Sequence, residues 1–169
     1  FISNSAIGGI SLNNFSSGAV VIRDYNIIEQ SGDGILLRDL SNIPISVYNN
    51  YIGNNWHGLR IVGSTVNTQI TYNDFDQNTN HQAVDSTLNN FNQFYRNWWS
   101  DYSPGCLDAN VDGWCDFWRS IPVANNDTQP KARNSFGHNA RGYFVQNPRG
   151  NGVQVKPSCP VIRIPGETN

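Results

Sequence analysis

Four asparagines recur along this chain at almost constant spacing. Asn26, Asn50, Asn73 and Asn97 are separated by 24, 23 and 24 residues. Two residues after each stands a large apolar residue: Ile28, Ile52, Phe75 and Trp99. Eleven residues after the first three stand Leu37, Ile61 and Val84. Three residues before the last three stand Val47, Ile70 and Phe94, whereas Arg23 breaks that column. Asn4 precedes Asn26 by 22, and Gly8-Gly9-Ile10-Ser11-Leu12 matches Gly34-Ile35-Leu36-Leu37. A unit this short cannot bury an apolar face alone, so successive units must stack on one another.

The composition points the same way. Of 169 residues, 25 are Asn, and only 14% are charged, below the roughly 25% usual in soluble domains. Asn and Gly corners between short β-branched runs read as turns and strands. The expected fold is all-β: a right-handed parallel β-helix of four to five turns, each contributing about three strands. Inward side chains then stack on the same column of the next turn, about 4.8 Å away. Leucine-rich repeats share the period, but their fixed Leu framework is missing. A buried corner Asn can bond backbone groups of its own turn and the Asn above and below. Asn26, Asn50, Asn73 and Asn97 are therefore expected to form a ladder.

The organisation divides into turns over 1–102, a C-terminal cap over 103–130 and an extended tail over 131–169. The cap begins with Asn97-Trp98-Trp99-Ser100-Asp101-Tyr102. There follow Asp108-Ala109-Asn110-Val111-Asp112-Gly113-Trp114-Cys115-Asp116, then Asn126-Asp127 before Pro130. Together with the repeats, this block resembles the NosD-type parallel β-helix proteins, the carbohydrate-binding and sugar-hydrolase family, in their archaeal and bacterial surface forms. In that family an Asn-Tyr-Trp-Ser-Asp-Tyr block precedes an Asp-Gly-rich loop. The resemblance spans about residues 20–130 and implies a β-helix with polysaccharide chemistry as one outcome. The chain departs from it by two cysteines around the loop and by its long tail.

Asp108, Asn110, Asp112 and Asp116, with Gly113 between, match positions 1, 3, 5, 9 and 6 of an EF-hand-like calcium loop. The Trp114 carbonyl would supply position 7. Position 12 is Arg119, so a bidentate carboxylate must come from elsewhere, with Asp101 and Asp127 as candidates. Calcium is the expected cofactor, against an acidic turn with no metal. Cys106 and Cys115 flank this loop and are expected to close it as a disulfide. Pairing of Cys159 with either one is the alternative, since three cysteines leave one over. Two sequons, Asn14-Phe15-Ser16 and Asn126-Asp127-Thr128, mark Asn14 and Asn126 as glycosylation candidates. The aromatic cluster Trp98, Trp99, Tyr102, Trp114, Phe117 and Trp118 reads as a plug over the last turn, with sugar stacking as the alternative.

For catalysis, Asp74 and Asp76 flank inward Phe75 and are expected to point outward on one face. Asp33 and His57 each lie seven residues after a ladder Asn and are expected to stack on adjacent turns, with His81 one column over. An Asp–His contact could serve acid/base work, but a solvated corner pair is the simpler reading. Both lysines, Lys131 and Lys156, lie in the tail, away from the turns. Only two Glu occur, Glu29 and Glu167, so a glycosidase would need an Asp pair. The balance leans away from an enzyme.

The formal net charge of −2 hides an asymmetry. Residues 1–130 carry 5 basic and 12 acidic side chains, and residues 131–169 carry 6 and 1. Within the tail, 142–146, 152–156 and 160–165 read as short strands. The tail is expected against an acidic solenoid face, its own or a neighbour's. No global basic excess favours nucleic acid, and no run of 18 apolar residues supports a membrane span. The absence of Met, even at position 1, suggests a processed chain or a fragment. The expected function is that of a secreted or cell-surface structural protein, a calcium-stabilised subunit of a filament or envelope layer. Its partners would be further copies of itself, joined by turn stacking, by the tail, or both. The alternative is a polysaccharide-binding or polysaccharide-processing module.

Overall fold

The structure, a computed structural model, describes residues 2–3 (backbone only), 8–41, 43–87, 91–102, 106–122 and 125–132. Asn4, Cys159 and the expected tail strands lie outside the described residues. Among the described residues, fifteen short strands build three sheets and there is no helix. The first sheet stacks β1 (Ile2–Ser3), β4 (Ile27–Glu29), β7 (Tyr51–Gly53), β10 (Asp74–Asp76) and β13 (Trp98–Trp99) in that order. The second stacks β2 (Gly8–Asn13), β5 (Asp33–Arg38), β8 (His57–Val62) and β11 (His81–Asp85). The third stacks β3 (Val20–Arg23), β6 (Ile45–Tyr48), β9 (Thr68–Thr71), β12 (Gln93–Tyr95), β15 (Asn125–Asp127) and β14 (Arg119–Ile121). All pairings between these strands are parallel except β14 with β15. The chain is thus a parallel β-solenoid of about four turns, as its period predicts.

The core is the set of inward columns. Ile28, Ile52, Phe75 and Trp99 are in register and fully buried, and the Phe75 and Trp99 rings stack at 4.4 Å. Ile22, Val47, Ile70 and Phe94 form a second column. Ile22, not Arg23, continues it upward. The extra residue is absorbed at the corner, where Asp24 and Tyr25 are both left-handed (φ 63° and 65°). The later turns use one such residue there: Asn49, Tyr72 and Arg96. Another corner repeats the device with Gln30, Asn54 and Gln77, and the third with Asn14, Asp39 and Gly63. A single left-handed residue reverses the local bend that an extended chain cannot make.

A second correction concerns the last turn. Asp85, not Val84, is in register with Ile61 and Leu37, and His81 is in register with His57 and Asp33. The loop between Asn78 and His81 holds one residue more than that between Asn55 and His57. That residue is taken up at the corner, where the amides of Thr79 and Asn80 donate to the carbonyls of Asn55 and Trp56.

The Asn ladder forms. Asn26 and Asn50 each donate, through backbone N and Nδ2, to Oδ1 of the ladder Asn one turn on: Asn50 and Asn73. Asn73 does the same to Asn97. Nδ2 of Asn50, Asn73 and Asn97 also donates to a carbonyl of the preceding turn: Ile22, Val47 and Ile70. A second ladder, at the next corner, was not expected. The Ser31 amide donates to Asn55 Oδ1, Asn55 donates twice to Asn78 Oδ1, and Asn78 donates twice to Gln82 Oε1. Its sequence signal is a spacing of 24 and 23 from Ser31 to Asn55 to Asn78, offset five residues from the first ladder.

Glycine makes room for this second ladder. A Cβ on Gly34 would stand 2.7 Å from Asn55 Nδ2, and one on Gly58 2.7 Å from Asn78 Nδ2 and closer still to the Gln82 carbonyl. Gly58→Ala is therefore expected to destabilise the fold by about 2–3 kcal/mol, by overpacking against backbone that cannot swing away. A shift in chemical-denaturation midpoint at unchanged slope measures it.

Candidate functional site

The candidate catalytic residues fall in two places. On the second sheet, Asp33 and His57 stack on adjacent turns as expected, with His57 Nδ1 at 2.8 Å from Asp33 Oδ1. The sequence does not announce a third partner. Arg60 Nε and Nη2 donate to Asp33 Oδ2 at 3.0 and 2.6 Å. His57 Nε2 faces Asn80 Nδ2 at 2.9 Å, and the His81 ring stacks on His57 at 5.8 Å. With both ring nitrogens of His57 engaged and both oxygens of Asp33 occupied, the group is a braced polar column.

On the first sheet, Asp74 and Asp76 do lie on either side of inward Phe75, but both are buried rather than open to solvent. Lys131 Nζ donates to Asp74 Oδ1 at 2.6 Å and to the Tyr72 carbonyl at 3.2 Å. The Tyr51 hydroxyl donates to Asp76 Oδ2 at 3.0 Å. The Tyr51 side chain folds over Gly53, where a Cβ would stand 2.6 Å from its oxygen. Burial, then the charge of Asp76, pushes the Tyr51 hydroxyl far above its ordinary value, so it stays a proton donor. Lys131, expected off the solenoid with the rest of the tail, is thus locked onto it.

The cap loop is exposed and held by its own side chains. Asp108 accepts from the amides of Asp112 and Gly113, Asp112 from Trp114, and Asp116 from Ala109. Asn110 Nδ2 donates to Asp112 Oδ2. The two candidates for the bidentate carboxylate are engaged elsewhere. Asp101 pairs with Arg119. Asp127 is buried beneath Asn97, where its Oδ2 accepts from Asn97 N, Asn97 Nδ2 and Trp99 Nε1, and its Oδ1 from Arg96 N and Gln129 N. Among the described residues no three His, Cys, Asp or Glu side chains converge on one point. Three carboxylates, an amide oxygen and the Trp114 carbonyl remain in the loop as hard oxygen donors, the chemistry calcium takes.

Cys106 and Cys115 are bonded to each other, with Cα atoms 5.2 Å apart. The loop they close also holds the chain that follows β15. The Cys115 amide donates to the Pro130 carbonyl, and the Ala132 amide to the Gly113 carbonyl. Trp114 and Lys131 form an antiparallel bridge. The aromatic cluster splits. Trp98 and Trp99 are buried, and Arg119 lies over the Trp99 ring at 4.5 Å. Trp114 faces Arg96 at 4.5 Å. Phe117 and Trp118 are each 59% exposed, and Trp56, beside His57, is 55% exposed. The sequon residues Asn14 and Asn126 are exposed.

No helix among the described residues is long and apolar enough to cross a membrane. Compared with known proteins, the chain matches no protein-family model, no curated protein and no solved structure.

Proposed function

We propose that this chain is a non-catalytic structural solenoid of an extracellular or cell-surface layer. The observation that carries the reading is that its candidate acid/base side chains are spent on the fold. Asp33 is bound by His57 and Arg60, Asp74 by Lys131 and Asp76 by Tyr51. Two internal ladders and a disulfide fit a rigid rod exposed to an oxidising environment. The NosD-type resemblance belongs with this reading as an architecture. Calcium, held by Asp108, Asn110, Asp112, the Trp114 carbonyl and Asp116, would stiffen the cap. Copies would associate into a filament or layer through their sides or tails. The C-terminal end is closed by the antiparallel β14–β15 pair and by Ile121 beneath the core.

Electron microscopy and small-angle scattering of the purified protein test the assembly. Fibres or ladders at modest concentration are the expected result, and a monomer at every concentration overturns it. Calcium is tested separately. Addition of the ion at a hundred times its dissociation constant is expected to stabilise by about 2.7 kcal/mol. A melting temperature indifferent to calcium and chelator removes the ion from the account.

A second reading, a polysaccharide-binding module, is favoured by one observation: Trp56, Phe117 and Trp118 offer exposed flat rings. Retardation in gels containing acidic or neutral polysaccharide, lost on Trp118→Ala or Trp56→Ala, would support it.

A further inference from the structure

Lys131 and Asp74 stand 57 residues apart in the chain, yet they touch in the fold, with Nζ 2.6 Å from Asp74 Oδ1. The same Nζ lies 3.2 Å from the Tyr72 carbonyl. Asp74 is fully buried and Lys131 is 8% exposed. Both backbones are fixed. Asp74 lies in β10, which is paired on one side by β7 and on the other by β13. The Lys131 amide donates to the Asn97 carbonyl, and Lys131 bridges to Trp114. An amine and a carboxyl held at this distance are placed for intramolecular condensation, where effective concentrations reach about 10⁵ M or more. Held as ions, the two groups carry a desolvation cost that one neutral amide avoids.

We infer that Lys131 and Asp74 condense into an isopeptide bond, a covalent cross-link between the chain after β15 and the strand β10. One proton passes from the Lys131 ammonium to Asp74 Oδ1, which gives a neutral amine and a carboxylic acid. The Nζ lone pair adds to the carboxyl carbon Cγ, and the N–C bond forms. Nζ then releases a second proton to Oδ1, the C–Oδ1 bond breaks, and Oδ1 leaves as water. Oδ2 stays as the amide oxygen. The step is a dehydration and needs no oxidant, reductant or co-reactant. The product fits the site, because Nζ keeps one N–H and the Tyr72 carbonyl is in place to accept it. A proton-bearing group stands near. The Tyr51 hydroxyl donates to Asp76, and the charges of Glu29 and Asp74 bear on it as well. The bond closes a loop of 57 residues, against 9 for the Cys106–Cys115 disulfide. A longer closed loop restricts the unfolded chain more, so the cross-link is the stronger clamp on the cap.

Mass spectrometry of the purified full chain, reduced and denatured, tests this. The wild type is expected to be lighter than its sequence by the mass of one water. Trypsin cuts after Lys and Arg, so the digest is expected to contain residues 61–96 joined to residues 120–133, with no cleavage at Lys131. Lys131→Arg keeps the positive charge but has no amine to condense, and it is expected to show the full sequence mass. That mass can be read whether or not the variant folds. A wild-type mass equal to the sequence mass overturns the inference and leaves the pair as a buried ion pair. So does a lost water confined to one tryptic peptide, which marks a dehydrated Asp or Asn instead of a cross-link. A lost water that persists in Lys131→Arg overturns it too.

Discussion

Asp127→Ala is expected to destabilise the protein by about 3–5 kcal/mol, among the largest effects of any single polar substitution in this chain. The reason lies in the direction of the ladder. Each ladder Asn hands two N–H groups to the next turn, so the last one, Asn97, needs an acceptor that asks for nothing in return. A carboxylate is acceptor-only. Asp127 takes both Asn97 donors and the Trp99 indole on one oxygen, and two further amides on the other. Alanine leaves those five donors without it, and the three on Asn97 and Trp99 are buried. Asp127→Asn is expected to be only partly tolerated, because its NH2 would face the amides of Arg96 and Gln129. Denaturant midpoints at constant slope give both values.

The same residue carries a pH signature. Burial raises the Asp127 carboxyl above its ordinary value of 3.8, although the bonds from Asn97, Gln129 and Trp99 pull it back. Folding therefore binds a proton in the window between that ordinary value and the raised one. Stability from this group is fullest below the window and declines as pH rises through it. The gap between wild type and Asp127→Ala should be wider at pH 4 than at pH 7. A gap that narrows on acidification would mean that the five donors outweigh desolvation.

Asn73→Ala is expected to cost about 3–4 kcal/mol, since it interrupts the ladder in its middle. Asn73 Oδ1 accepts two bonds from Asn50, and its Nδ2 donates to Val47 O and Asn97 Oδ1. Each lost partner is buried, so each unmade bond costs more than a surface one. The contrast is Asn54→Ala. Asn54 is exposed and left-handed at φ 55°, and its amide bond to the Asp76 carbonyl survives the change. A loss of about 1 kcal/mol, from backbone strain alone, is expected there. Thermal unfolding of the two variants side by side separates the two jobs. Equal losses would show that the ladder adds nothing beyond corner geometry.

Those two jobs explain why Asn abundance alone could be read only halfway. Asn49 and Asn54 bend the chain, whereas Asn50 and Asn55, one residue later, tie turns together. Spacing picks out the first ladder because large apolar residues flank it at fixed offsets. The second escapes because its last rung is Gln82, whose longer side chain arrives from a column that earlier turns fill with Gly34 and Gly58. The His81 register shows a related limit. One inserted residue at a corner shifts a count by one, and counting cannot say whether the strand or the corner absorbs it. A strand that slipped would turn its inward face outward, so the corner absorbs it.

Legible from the residues alone are the parallel solenoid, the inward column of Ile28, Ile52, Phe75 and Trp99, the first Asn ladder and the sheet on which Asp74 and Asp76 stand. Stacking is a nearest-neighbour interaction, so a period of 23 or 24 residues is also a direct map of contacts. Contacts joined across the period emerge only from the folded chain. Lys131 meets Asp74 across 57 residues, Asn125 meets Asp85 across 40, and Asp127 meets Asn97 across 30. The chain after Trp99 has no repeat to follow. Its partners are chosen by which buried donors and carboxylates the last turn leaves unmatched, and that is known only once the turns are stacked.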